Sequence, residues 1–225
     1  MIFEGIKIIE FVKICGLKKE KDIDVCYKYG ANAVGFIYNV SESPRNLNNI
    51  ELEILLTKVP EKLKSVIVLK PKNISEILDI SQKFNANLLQ IHGNFNLAEL
   101  NSIPNNIKKR LIIALKINEK NKLNIIDNIN KFKENFFAFL LDNSEGKGKE
   151  FSFSNAKDIF KECSNAKIII AGGINNKNIE KIIKELHPFG IDASSSLESH
   201  RGIKDPKKII KFLKIIEKIR NKGVN

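Results

Sequence analysis

Short apolar runs and longer amphipathic stretches alternate along this chain. A parallel strand covered on both faces reads as a near-continuous run of Val, Ile and Leu. Apolar runs broadly of this kind fall at 11–16, 32–38, 64–69, 87–91, 109–117, 136–141 and 167–171, and Gly190-Ile191-Asp192-Ala193 reads as an eighth strand. Between them apolar residues return every three or four positions, as Ile23, Cys26 and Tyr27 do, which is the period of a helix with one buried face. Helices are expected at 19–29, 49–58, 75–84, 97–102, 120–133, 155–163 and 178–186. A last one starts near Asp205-Pro206, where proline suits the first turn.

Eight strands and eight helices in strict alternation, without a Pro- or Ser-rich linker or a break in composition, imply parallel strands joined by right-handed crossovers. The expected fold class is α/β, a (β/α)8 TIM barrel with eight parallel strands inside and helices outside. Its competitor is a doubly wound open sheet. The 225 residues suit one barrel domain over 1–225, with residues 1–9 as a short N-terminal extension. The final helical stretch carries Ile209, Phe212, Leu213, Ile216 and Ile219 on one stripe, and we read it as outer layer rather than as a membrane-surface helix.

Composition narrows the partners. Hydrophobic residues make up 43% of the chain, enough for a substantial core, yet no apolar run is long enough to span a bilayer. Glu4, Lys7, Glu10 and Lys13 interrupt any signal-peptide apolar region, so a cytoplasmic protein is expected. The net charge of +12 is spread over nearly every helix, the signature of solvated faces and not of one polyanion-binding block. With no Trp and three Tyr, few residues could stack on single-stranded nucleic acid. Neither a nucleic-acid nor a membrane partner is expected, and the charge remains compatible with steering a doubly anionic small molecule. The three cysteines, at 15, 26 and 163, form no C-x-x-C pair and have no histidine at ligand spacing, so no disulfide framework, metal or cofactor is implied.

Candidate chemistry collects at the C-terminal ends of the strands, where barrel enzymes place their active sites. In the first run Lys13 and Cys15 share a face, and a cation about 6–7 Å from a sulfur, the two-residue rise of a strand, favours the thiolate. Gly16 permits a sharp turn just beyond. A free cysteine is otherwise most often a small buried hydrophobe, and this residue alone leaves both readings open. Asp142 follows an apolar strand; a carboxyl hung over an apolar interior suits a general acid, or else a loop cap. Gly172-Gly173 with Asn175 opening a helix, then Ser194, Ser195 and Ser196 one unit later, offer backbone N–H groups, hydroxyls and a helix dipole to a phosphate. Arg45, behind Pro44, has a fork that suits a carboxylate, unless it is simply a solvated loop arginine. Gln90 and His92 end the fourth strand, with His92 in a supporting role, while His187 and His200 look like loop or surface residues. The Lys- and Gly-rich stretch 145–149 lacks the spacing of a nucleotide loop.

Seven of these segments together carry a resemblance. Val12-Lys13-Ile14-Cys15-Gly16, Gly30-Ala31-Asn32-Ala33-Val34-Gly35-Phe36, Ser43-Pro44-Arg45, Gln90-Ile91-His92-Gly93, Leu140-Leu141-Asp142, Ala171-Gly172-Gly173-Ile174 and Pro188-Phe189-Gly190-Ile191-Asp192-Ala193-Ser194-Ser195 resemble phosphoribosylanthranilate isomerase, in order, from about residue 12 onward. The resemblance implies an Amadori rearrangement in tryptophan biosynthesis, from N-(5-phosphoribosyl)anthranilate to 1-(o-carboxyphenylamino)-1-deoxyribulose 5-phosphate. It implies Asp142 as the general acid on the ring oxygen and Cys15 as the general base at C2. Arg45 would bind the anthranilate carboxylate, Asp192 a sugar hydroxyl, and the two late loops the phosphate. The partner implied is a small molecule bearing phosphate and carboxylate, and the assembly a monomer or homodimer.

The chain departs from the family at 145–153, where one glycine, a hydroxyl residue and an Asp-Trp pair are lost, and at Ser196, where the family usually has glycine. A ribulose-phosphate epimerase would need metal-ligating histidines and acids at several strand ends, and an indole-glycerol-phosphate synthase a lysine-glutamate set; neither is evident. A degenerate barrel that only binds phosphate is the alternative from another class, opposed by the retention of Cys15 and Asp142.

Overall fold

The computed structural model describes residues 9–118, 120–142 and 153–222. Eight parallel strands follow one another around a barrel: β1 (Phe11–Cys15), β2 (Ala33–Tyr38), β3 (Lys64–Leu69), β4 (Leu88–His92), β5 (Leu111–Lys116), β6 (Ala138–Asp142), β7 (Ile168–Ala171) and β8 (Gly190–Ala193). Each pairs with the next, and β1 pairs with both β2 and β8, so the sheet closes on itself. The architecture is the expected (β/α)8 barrel, and closure excludes the open sheet.

Most strands are apolar on both faces because two separate cores cover them, while the inward faces of β1, β4 and β8 also carry Lys13, Gln90 and Asp192. One core lies inside the barrel and includes Phe11, Ala33, Val66, Val68, Leu88, Ile112, Ala138, Leu140 and Ile169. The other fills the layer between strands and helices, with Val12, Ile14, Val34, Phe36 and Ile67 facing outward. Helix Ile179–Leu186 turns Ile179, Ile182, Ile183 and Leu186 into that layer. Helix Pro206–Lys222 does the same with Ile209, Phe212, Leu213 and Ile216, as an outer-layer helix should. Among the described residues no helix is long and apolar enough to cross a membrane.

Polar side chains fix the joints of the barrel. Asn48 accepts from the Glu51 backbone N–H while Glu51 reaches back to Asn48, a capping box that starts helix Asn49–Thr57. At the closing seam Asn32 Oδ1 accepts from the Val12 N–H at 2.9 Å and from Arg220 Nη2 at 2.7 Å. Arg220 also donates to the carbonyls of Ile9 and Gly30, so the last helix clasps the ends of the first α/β unit. The N-terminal end of the barrel is closed by Phe11, Phe137 and Phe189, whose ring centroids lie 5.6, 5.9 and 6.2 Å apart. The Lys167 ammonium sits over two of these rings, at 5.7 and 5.5 Å from their centroids.

Three features go beyond the sequence pattern. A two-residue strand, Asn46–Leu47, pairs with β2. A second short helix, Asn105–Lys108, begins after Pro104 and delays β5 to Leu111, where a strand from 109 was expected. Beyond β8 a 3-10 turn, Ser195–Leu197, leads into an antiparallel hairpin of Glu198–His200 with Ile203–Lys204. Residues 1–8 of the expected extension and the altered loop residues 145–152 lie outside the described residues.

Candidate active site

The site begins in β1. Alternation sends Phe11, Lys13 and Cys15 inward at three depths, while Val12 and Ile14 pack outward. Lys13 is fully buried and its ammonium is 2.7 Å from Asp192 Oδ2 on the neighbouring β8, to which it stands in register. Burial pushes the Lys13 ammonium down, but Asp192 and Cys15 more than offset this and hold it above its ordinary value. Asp192 is pushed up by burial and pulled back by Lys13. Its second oxygen, Oδ1, is buried without a hydrogen-bond partner.

Lys13 and Cys15 come together because the residue opposite Cys15 in β2 is Gly35. A Cβ there would lie 2.9 Å from the Cys15 sulfur, 3.0 Å from Lys13 Cε and 3.1 Å from its Nζ, so a side chain would push the thiol and the lysine head aside. The lysine pulls the thiol down, as the sequence suggested, but burial outweighs it and the Cys15 thiol ends above its ordinary value. Gly16 follows at φ +81°, the left-handed turn expected of it.

Four other strands and two late loops complete the rim. Gln90 and His92 point inward from β4, with the Gln90 amide nitrogen 2.8 Å from His92 Nε2. Burial pushes His92 down to about 4, Asp142 pulling up and Lys13, Lys116 and Lys70 pushing further down; the imidazole is neutral at physiological pH. Asp142 ends β6, in register with Lys116 of β5 and Ala171 of β7. Gly172 and Gly173 are both left-handed, at φ +84° and +70°, which a residue with a side chain adopts at a cost. Beyond them Asn175 and Asn178 donate to the Gly173 carbonyl at 3.0 and 2.9 Å and hold that turn. Ser194 donates from its hydroxyl to the Cys15 carbonyl at 2.9 Å, which ties the loop after β8 to the tip of β1.

These residues surround one cavity of about 190 Å³. It is lined by Cys15, Arg45, Gln90, His92, Asp142, Gly172, Gly173, Asp192, Ser194 and Ser195, with apolar walls from Ile37, Val68, Leu140 and Ile174. Of the residues singled out from sequence, Lys13 lies beneath it and Ser196 does not line it; the Ser196 hydroxyl is buried without a partner. A larger cavity of about 730 Å³ opens near the floor beside Glu10, Cys163, Lys167 and Phe189. The C-terminal strand ends, where barrel chemistry resides, do not reach it.

Arg45 is neither solvated nor idle. Its Nε and Nη2 donate to Glu198 at 2.5 and 2.9 Å, so the side-on edge of the fork grips a carboxylate of the protein itself. Burial alone would push Glu198 up; hydrogen bonds from Arg45, Lys204 and the Gly202 N–H overcome it and hold this carboxyl at about 2. Sequence reasoning gave no role to Glu198, Lys204 or Gly35. The signal for Gly35 was a glycine inside a buried strand, which marks a close approach. Glu198 followed by Lys204 six residues later was a subtler one.

A closed barrel with a thiol, a carboxyl and a neutral histidine gathered at the C-terminal mouth places the chain in the class of (β/α)8-barrel enzymes. Residues 12–215 match the family model described as N-(5'phosphoribosyl)anthranilate (PRA) isomerase. The chain is 32% identical to the N-(5'-phosphoribosyl)anthranilate isomerase of Methanosarcina acetivorans, over 93% of this chain and 92% of that protein. It is also 32% identical to that of Methanocaldococcus jannaschii, over 92% and 97%. The crystal structure of the phosphoribosyl anthranilate isomerase from Thermotoga maritima superposes with a TM-score of 0.79 at 27% identity, covering 93% of this chain and 99% of that one. A structure of such an isomerase in complex with reduced 1-(o-carboxyphenylamino)-1-deoxyribulose 5-phosphate gives 0.78 at 26% identity, with the same coverage. The chain belongs to the phosphoribosylanthranilate isomerase family and is an isomerase.

Proposed function

We propose that this enzyme carries out the Amadori rearrangement of N-(5-phosphoribosyl)anthranilate, a step of tryptophan biosynthesis, with Asp142 as general acid and Cys15 as general base. The observation that carries the reading is the single cavity that Cys15 and Asp142 line from β1 and β6. A furanose between them would meet the acid at its ring oxygen and the base at C2. Asp142 gives a proton to the ring oxygen as the C1–O bond breaks, leaving a Schiff base between C1 and the anthranilate nitrogen. The Cys15 thiolate then takes the C2 proton, its electron pair forms the C1–C2 double bond, and the resulting enolamine tautomerises to the ketone.

The surroundings support those roles. Burial opposes ionisation of the Cys15 thiol, so the buried Lys13 ammonium beside it is what makes a thiolate accessible. Asp192 holds that ammonium with one oxygen, and its unpartnered Oδ1 is suited to a sugar hydroxyl. The Gln90–His92 pair buttresses the wall between base and acid as a neutral hydrogen-bonding unit. Gly172, Gly173, Ser194 and Ser195, with Ser196 behind them, form the phosphate cradle at the ends of β7 and β8. Arg45 receives the anthranilate carboxylate. No metal or cofactor enters the scheme. We place the enzyme in the cytoplasm as one domain, a monomer or homodimer; a Thermotoga maritima relative is described as dimeric.

The test follows loss of fluorescence of phosphoribosylanthranilate made in situ. Wild type turns over, and Cys15→Ser and Asp142→Asn each lose about 10²–10⁴ in kcat, the range of a positioned acid or base. No turnover by well-folded wild type would reject the reading and favour the binding-only barrel.

A further inference from the structure

Arg45 is locked before any substrate arrives. A guanidinium has five N–H donors, and the two on its side-on edge go to Glu198, leaving the end-on edge, Nη1 with the remaining Nη2 hydrogen, for a ligand. Glu198 is held in turn by Lys204 Nζ at 2.8 Å and by the Gly202 N–H at 3.0 Å. Lys204 continues the chain of contacts, donating to the Ser194 carbonyl at 3.0 Å and to its hydroxyl at 3.3 Å. An unbroken run of charge-assisted bonds thus links Arg45 to the loop after β8.

Two glycines make room for this arrangement. A Cβ on Gly16 would lie 2.4 Å from Arg45 Cδ, so the arginine stem crosses directly over the tip of β1. A Cβ on Gly202 would lie 2.7 Å from the Pro44 carbonyl oxygen, so the hairpin tip presses against the residue before Arg45. Both glycines have positive φ.

We propose that Glu198 is a positioning residue for substrate specificity: through hairpin 198–204 it fixes the end-on edge of Arg45 at a set distance from the serine loop, selecting a substrate whose carboxylate and phosphate have matching separation. The inference rests on the roles given above to Arg45 and that loop. The alternative view of Glu198, as an anion that merely weakens Arg45 by competing with the substrate carboxylate, predicts the opposite sign for its removal. Without Glu198 two buried-side cations, Arg45 and Lys204, would face each other with more positive charge for an incoming anion but no fixed geometry.

The experiment measures KM for phosphoribosylanthranilate, and inhibition by anthranilate and by inorganic phosphate, in wild type, Glu198→Gln, Glu198→Asp and Arg45→Ala. Losing a charged hydrogen bond of this kind corresponds to roughly a tenfold or greater effect. Glu198→Gln is expected to raise KM about tenfold, with kcat and its pH profile moving far less. Anthranilate inhibition should weaken in step, and phosphate inhibition should not. Glu198→Asp keeps the charge, and therefore the partner of Lys204, but falls one methylene short, and should raise KM in the same direction even if the Gln variant folds poorly. In an Arg45→Ala background Glu198→Gln should add nothing. A lower KM in either Glu198 variant, equal weakening of phosphate and anthranilate, or an undiminished effect without Arg45 overturns the proposal. An Arg45→Ala variant with unchanged KM shows instead that the carboxylate role of Arg45 has failed.

Discussion

At the floor of the barrel three phenylalanine rings meet edge-on and stacked; at the mouth, a few residues further along the same strands, a thiol, carboxylates, a histidine and an arginine line one cavity. The contrast is sharpest within β1, where Phe11 closes the floor, Lys13 lies fully buried at mid-depth and Cys15 reaches the cavity. Inward side chains two residues apart stack in layers. The lower layers are filled with apolar atoms and contribute stability, whereas the upper layer leaves polar atoms, Asp192 Oδ1 and Gln90 Oε1, buried and unpartnered. Such atoms are costly to leave unpaired, which fits the sugar-hydroxyl role proposed above for Asp192.

Lys13 sits between the two regimes and its removal should have the largest effect on both. Lys13→Met leaves the Asp192 carboxylate buried and unpaired, with an expected loss of about 3–5 kcal/mol in urea unfolding. A Lys13→Met/Asp192→Leu double variant should regain part of that stability and none of the activity. In the single variant the pH midpoint for alkylation of Cys15 by iodoacetamide should rise above that of wild type, since burial would then act on the thiol without its counterweight. An unchanged midpoint would separate the ammonium from the thiol.

A smaller effect belongs to His92, whose protonation is resisted by burial at the mouth. Its pKa in the folded state lies at about 4, below the ordinary 6.5, so between these values the unfolded chain binds the proton more readily. The stability His92 contributes is complete above pH 6.5 and is lost as the pH falls towards 4. His92→Asn should therefore show a shallower decline of stability over that window, and the wild-type ring should remain neutral by NMR until about pH 4.

The barrel was legible in the sequence because strands buried on both faces read as apolar runs and alternate strictly with helical stretches; β8, Gly-Ile-Asp-Ala, was legible from that alternation more than from its own composition. The pairing of Lys13 with Cys15 was legible from strand alternation alone. The direction of the Cys15 shift was not: whether burial or a cation dominates depends on how fully β2 and β8 enclose the sulfur, which neighbouring residues do not reveal. Nor was the bond between Arg45 and Glu198, 153 residues apart, since it depends on a hairpin whose short strands carry little apolar pattern. Ser196 was grouped with its serine neighbours by adjacency; it falls inside the 3-10 turn Ser195–Leu197 and is not among the residues that line the cavity.

The division of labour along β1 is tested most directly by two variants of that one strand, Phe11→Ala and Cys15→Ser, each measured for urea unfolding and for kcat. Phe11→Ala should lose about 3–5 kcal/mol of stability, as large-to-small core changes do, and keep kcat within a factor of a few at temperatures where it is folded. Cys15→Ser should keep its unfolding midpoint and lose at least about a hundredfold in kcat. If the folded Phe11→Ala protein lost turnover as Cys15→Ser does, or if Cys15→Ser remained fully active, floor and mouth would not be the separate structural and chemical ends described above.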